Sequence, residues 1–98
     1  MLVCVPVRRV PPQFTIPPDS EYEVMMGAAI NLTCVAVGSP MPHVKWRRGS
    51  QDVAPNMTPP IGKNVLQLKN IQETENYTCV AASKLGIIEA STLVRVQG

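Results

Sequence analysis

Three positions constrain this 98-residue chain more than any others: Cys34 within INLTCVAV, Trp46 within HVKW, and Cys79 within NYTCVA. Each sits in a short stretch where apolar and polar side chains alternate, the period-2 signature of a half-buried strand. In the first stretch Ile30, Leu32, Cys34 and Ala36 share one face, while Asn31, Thr33, Val35 and Val37 share the other. Trp46 follows Cys34 by twelve residues, and Tyr77 stands two residues before Cys79. No stretch of the chain carries a helical period. The chain reads as all-β.

Cysteine, tryptophan and cysteine in that order on strands, with a tyrosine two residues before the second cysteine, form the pattern of an immunoglobulin-like β-sandwich. That fold is two antiparallel sheets with Greek-key topology. The pattern implies that Cys34 and Cys79 bridge the sheets, that Trp46 packs against the bridge, and that Tyr77 forms a tyrosine corner. If the two cysteines pair, they close a loop of 46 residues, for which loop entropy gives roughly 4 kcal/mol. That is a large share of a net stability of about 5–15 kcal/mol. Such a bond persists only in an oxidising compartment, so the chain is expected outside the cell or in the secretory lumen. Only 30 residues separate Trp46 from Tyr77. An antibody variable domain needs more room for its two extra strands, so an intermediate-set or constant-like sandwich fits better.

Residues 1–10 read as a linker or the remnant of a preceding domain, and residues 11–98 as the immunoglobulin-like domain. The opening MLVCVPVRRV has an apolar stretch of six residues, interrupted by Pro6 and followed rather than preceded by charge, which is not an export signal. No run of about 20 apolar residues is present, so no membrane contact is expected within the chain. A disulfide domain with neither signal nor anchor is most simply a piece of a longer ectodomain. PPQFTIPP holds four prolines in eight residues; proline cannot donate to a ladder, so this is an edge strand. Phe14 and Ile16 are expected to enter the core from it. Residues 21–26 read as the second half of the same strand, closed by Gly27. Further strands follow in HVKW, NVLQLKNI, NYTCVAAS and IIEASTLVRV, with Leu85-Gly86 turning the last hairpin. RRGSQDVAPNMTPPIG, with three prolines and two glycines, argues against long strands.

VRRVPPQF, VAVGSPMPHVKW, IGKNVLQL and NYTCVAASKLGIIEA together resemble the third immunoglobulin domain of the LAR-type (type IIa) receptor protein tyrosine phosphatases. The resemblance runs from about Val7 to Val96. Three stretches depart from it: Arg47-Arg48 stands where the family tends to be apolar, VAPNMTPP replaces a more acidic segment, and MLVCVP is not a recognisable continuation of the second domain. The resemblance implies a cell-surface receptor whose ectodomain binds extracellular or cell-surface protein ligands in cell adhesion, axon guidance and synaptic signalling. In that family the cytoplasmic domains carry the phosphatase activity. Sulfated glycosaminoglycans are bound mainly by the first domain, and the third helps engage some protein ligands. The alternative is an adhesion or matrix immunoglobulin protein without any enzymatic domain.

No catalysis is expected in this chain. A tyrosine phosphatase needs a low-pKa cysteine in a phosphate loop with an arginine a few residues on, and none of the three cysteines has that setting. A lone histidine, His43, and two paired cysteines leave no set of metal ligands and imply no cofactor. A net charge of +2 and 4% aromatic residues argue against nucleic acid as a partner. Three glycosylation sequons stand at Asn31, Asn56 and Asn76. Asn31 and Asn76 alternate with inward residues and should face solvent, whereas Thr58-Pro59 makes Asn56 the weakest of the three. Arg8, Arg9, Lys45, Arg47 and Arg48 are the candidates for a polyanion site, in a field that Glu21, Glu23 and Asp52 dilute. Cys4 either pairs with another chain or finds its partner in sequence beyond this one.

Overall fold

The computed structural model describes residues 9–97; Cys4, Arg8 and most of the expected linker lie outside the described residues. Eight strands follow one another: β1 (Val10–Ile16), β2 (Glu21–Met25), β3 (Ile30–Ser39), β4 (His43–Arg48), β5 (Gln51–Asp52), β6 (Lys63–Leu68), β7 (Glu75–Ser83) and β8 (Gly86–Gln97). They form a three-stranded sheet in the order β1-β3-β6 and a five-stranded sheet in the order β2-β8-β7-β4-β5. The ladders are antiparallel except between β2 and β8, which run parallel from Glu21 opposite Leu93 to Met25 opposite Gln97. The first strand therefore changes sheets. Pro17 and Pro18 lie at the change, where the chain lacks the two N–H groups that would continue the β1 ladder.

The core is the facing surface of the two sheets. Leu32, Cys34 and Ala36 on β3 meet Val44 and Trp46 on β4, Tyr77, Cys79 and Ala81 on β7, and Val94 on β8. The period-2 spacing read from the sequence delivers this set, and each fully buried leucine or valine contributes about 1.5–3 kcal/mol relative to exposure. Cys34 and Cys79 are joined across the sheets, with Cα atoms 6.5 Å apart. Ile71 plugs the end of the core beneath the turn before β7, where its N–H donates to Ala28 O and its O accepts from Gly27 N–H.

Three local expectations are corrected. Ile16 is 54% exposed. Register shifts between Val10 and Gln13 and between Phe14 and Ile16 break the alternation of β1, so Pro12 is buried and Phe14 packs against the core while Ile16 faces water. The last hairpin turns at Lys84 and Leu85, with Gly86 already paired to Ser83; within the turn Ser83 Oγ accepts from Leu85 N–H. Tyr77 is buried as expected, but among the described residues its hydroxyl makes none of the hydrogen bonds that a tyrosine corner requires. It acts by packing.

Candidate functional site

The outer face of the five-stranded sheet carries the side chains that alternate away from the core. From β4 these are His43, Lys45 and Arg47; from β7, Asn76, Thr78, Val80 and Ala82; from β8, Ile87, Glu89, Ser91 and Leu93. Charges on this face are matched in pairs. Lys45 Nζ lies 3.2 Å from an Asp52 carboxylate oxygen, and Arg47 Nη2 lies 2.6 Å from Glu89 Oε2. At the strand end Arg48 meets Glu75 at 3.5 Å, and at the β2 edge Arg95 meets Glu21 at 3.4 Å. Of the five cations named from the sequence, Lys45 and Arg47 do come together on one face, with Arg48 at its margin. Each already holds a carboxylate, so the three form no bare cationic patch. Arg9 is exposed just ahead of β1.

The Arg47–Glu89 pair spans β7, which lies between their two strands. Beneath it Thr78 Oγ1 and Ser91 Oγ share a hydrogen bond of 3.0 Å. The covering side chains leave Val80 5% and Thr78 8% exposed, although both sit on the outer face. This face is closed by its own side chains over its middle, and Arg47 Nε is buried there without a hydrogen-bond partner.

The face opens at one end. His43 is opposite Ala82, Ala82 is opposite Ile87, and Ile61 bridges to His43 from the other side. This row ends in two exposed isoleucines, Ile61 at 62% and Ile87 at 67%. Asn76, opposite Leu93, lies well away from it along β7 and β8. A glycan on Asn76 would leave the row free.

Between β4 and β6, where the chain makes an irregular excursion over residues 53–60, lies a cleft of about 530 Å³. Trp46, Val53, Pro55, Met57 and Leu66 give it apolar walls. Its floor is tied by a reciprocal pair: Trp46 Nε1 donates to Asn64 O at 3.1 Å, and Asn64 Nδ2 donates to Val44 O at 2.9 Å. Asn56 sits on the rim between the lining residues Pro55 and Met57, on a turn closed by Met57 N–H to Ala54 O. All three sequon asparagines are exposed: Asn31 on the outer face of the small sheet, Asn76 on that of the large one, and Asn56 on the loop.

Asn64 and Glu89 were not singled out from the sequence. Asn64 had a signal, because it shares the parity of Leu66 and Leu68 and is thus a polar residue at an inward position of β6. Glu89 had none. Its partner is 42 residues away, and nothing local distinguishes it from any other solvated strand residue.

The immunoglobulin-domain family pattern matches residues 11–83. Tyrosine-protein phosphatase Lar of Drosophila melanogaster is 61% identical over 93 residues, which are 95% of this chain and 5% of that protein. Receptor-type tyrosine-protein phosphatase F of Homo sapiens is 55% identical over 93 residues, again 95% of this chain and 5% of its relative. The chain thus spans about one twentieth of these relatives, and what aligns is an immunoglobulin domain. Among solved structures, an immunoglobulin domain in the titin M10–obscurin-like 1 complex superimposes with a TM-score of 0.76 and 28% identity, covering 92% of this chain and 96% of that one. The Ig1-2 module of the Drosophila receptor phosphatase DLAR gives a TM-score of 0.76 at 23% identity, over 89% of this chain and 49% of its own, a likeness of fold.

Proposed function

Because this chain belongs to the immunoglobulin-domain family and is homologous to ectodomain segments of receptor-type tyrosine phosphatases, we propose that it is the third immunoglobulin domain of such a receptor. On this reading it works outside the cell by binding, in adhesion and neuronal signalling, and the phosphatase chemistry belongs to other parts of the parent protein. The observation that carries the reading is the 61% identity to Lar extending over 95% of the chain. The buried core is far smaller than the aligned length, so the likeness extends beyond the packing residues.

The ligand is a protein that meets the open end of the five-stranded sheet. The Ile61–His43–Ala82–Ile87 row offers exposed apolar area next to polar edges, the composition of a protein-binding patch. A sulfated glycosaminoglycan is the weaker partner, since Lys45, Arg47 and Arg48 are each engaged with a carboxylate. The test is to sequence the full transcript that contains this segment. Fibronectin repeats, a membrane span and a cysteine–arginine phosphatase loop downstream support the receptor. Further immunoglobulin domains ending in a lipid-anchor signal overturn it in favour of an adhesion protein without an enzyme.

A further inference from the structure

The Asn56 sequon and the cleft beside it are two independent features that fall at one place. Asn56-Met57-Thr58 is an acceptor sequence in a segment free of ladder hydrogen bonds, and Asn56 occupies the third position of the turn from Ala54 to Met57, directed to solvent. Pro59 after the sequon lowers the expectation from sequence alone. The fold supplies what the sequence does not show. Pro55 and Met57, on either side of Asn56, both line the cleft. The cleft has an apolar lining, yet Val53 and Met57 around its mouth are 42% and 71% exposed. Nothing else in the described chain covers them.

We infer that Asn56 is a glycan acceptor and that the first N-acetylglucosamine residues of its glycan lie across the cleft as a cap. The reaction joins Asn56 Nδ2 to C1 of the sugar of a lipid-pyrophosphate-linked oligosaccharide. The amide nitrogen loses one proton, the C1–O bond to the donor breaks, and its electron pair leaves on the lipid pyrophosphate. The chemistry of the cap suits the site. A pyranose ring presents an apolar C–H face, which meets Met57, Val53 and Pro55, while its hydroxyl and acetamide edges meet the Lys45–Asp52 rim. A cleft of about 530 Å³ lies within the range of about 300–1,000 Å³ that holds a small organic ligand. Asn31 and Asn76 differ in this respect: they stand on strands, and glycans there would project from sheet faces.

The proposal rests on the extracellular reading above, and the experiment separates the two. The full chain is secreted from a eukaryotic host, digested, and its glycopeptides are mapped by mass spectrometry before and after peptide N-glycosidase. Occupancy at Asn56 is the expected result. Glycans on Asn31 or Asn76 with Asn56 bare overturn this proposal alone, whereas all three bare overturn the extracellular reading and this proposal with it. The cap is then tested with anilinonaphthalene sulfonate, which reports exposed apolar surface. Asn56→Gln, at an exposed position outside the lining, should lose the glycan and gain dye fluorescence. Asn31→Gln, on the outer face of the small sheet and away from the cleft, should keep the Asn56 glycan and leave dye fluorescence unchanged. A glycosylated Asn56 whose removal leaves dye binding unchanged overturns the cap.

Discussion

Arg47 Nη2 and Glu89 Oε2 stand 2.6 Å apart over a strand to which neither belongs. The pair clamps β4 to β8 across β7 beside Val80, which Lys45 and Glu89 flank in the ladders. It is one reason why an outer-face valine is as shielded as a core residue.

A double-mutant cycle with Arg47→Ala and Glu89→Ala should therefore return a coupling of about 0.5–1 kcal/mol, the upper part of the range for partly exposed pairs. The coupling should shrink in 1 M salt, about where the Debye length falls to 3 Å. Urea unfolding of the four proteins at low and high salt checks both.

The same pairing bears on polyanions. Neutralising both arginines (Arg47→Gln with Arg48→Gln) should leave retention on a heparin column nearly unchanged, because Glu89 and Glu75 already offset them. A marked loss of retention would show that these side chains leave their carboxylates for sulfate.

Asn64→Ala removes the donor to Val44 O from the gap between the sheets. A partly buried carbonyl is left unpaired, and the expected loss is about 1–2 kcal/mol. Asn64→Asp should be worse, since a carboxylate has no proton to give that carbonyl. A lower urea midpoint with unchanged slope is the readout.

Replacing both Cys34 and Cys79 with alanine should lower stability by about 2–5 kcal/mol, as for disulfides of other small secreted domains. The wild-type chain should show the same loss on reduction. Melting curves with and without reductant decide it, and coincident curves would remove the bridge from the list of stabilising features.

Burial raises the Tyr77 hydroxyl above the usual 10.0; Arg48 pulls in the opposite direction and Glu75 reinforces the rise. The folded state thus holds this proton more tightly than the unfolded one. Tyr77's contribution is fully present below about pH 10, the unfolded value, and is lost as pH rises through the folded value. Denaturation midpoints followed upward from pH 9 should fall more steeply for the wild type than for Tyr77→Phe.

The sequence disclosed whatever depends on alternation. Cys34, Trp46, Tyr77 and Cys79 lie in the core because a period of two sends every second residue inward, and no distant partner can change that parity without a bulge. Where a bulge occurs, in β1, the reading of Ile16 failed. The functional surface was less legible. Arg47 could be named as a cation, but its partner Glu89 is set by strand order, which no local window contains. The cleft at Trp46 arises from a loop with no period at all, so the sequence showed Asn56 as an acceptor motif but not that its neighbours Pro55 and Met57 line a cleft.

The change of sheet by the first strand has a mechanical consequence. Because β2 and β8 run parallel, tension applied at the two ends of the domain draws β2 back toward Glu21 and β8 forward past Gln97. The two strands are pulled along one line in opposite senses, so the rungs from Glu21–Leu93 to Met25–Gln97 are loaded side by side in shear. A hairpin pulled open from its tip would yield one rung at a time. This joint must yield all at once, and so resists such tension better than a hairpin of the same number of rungs.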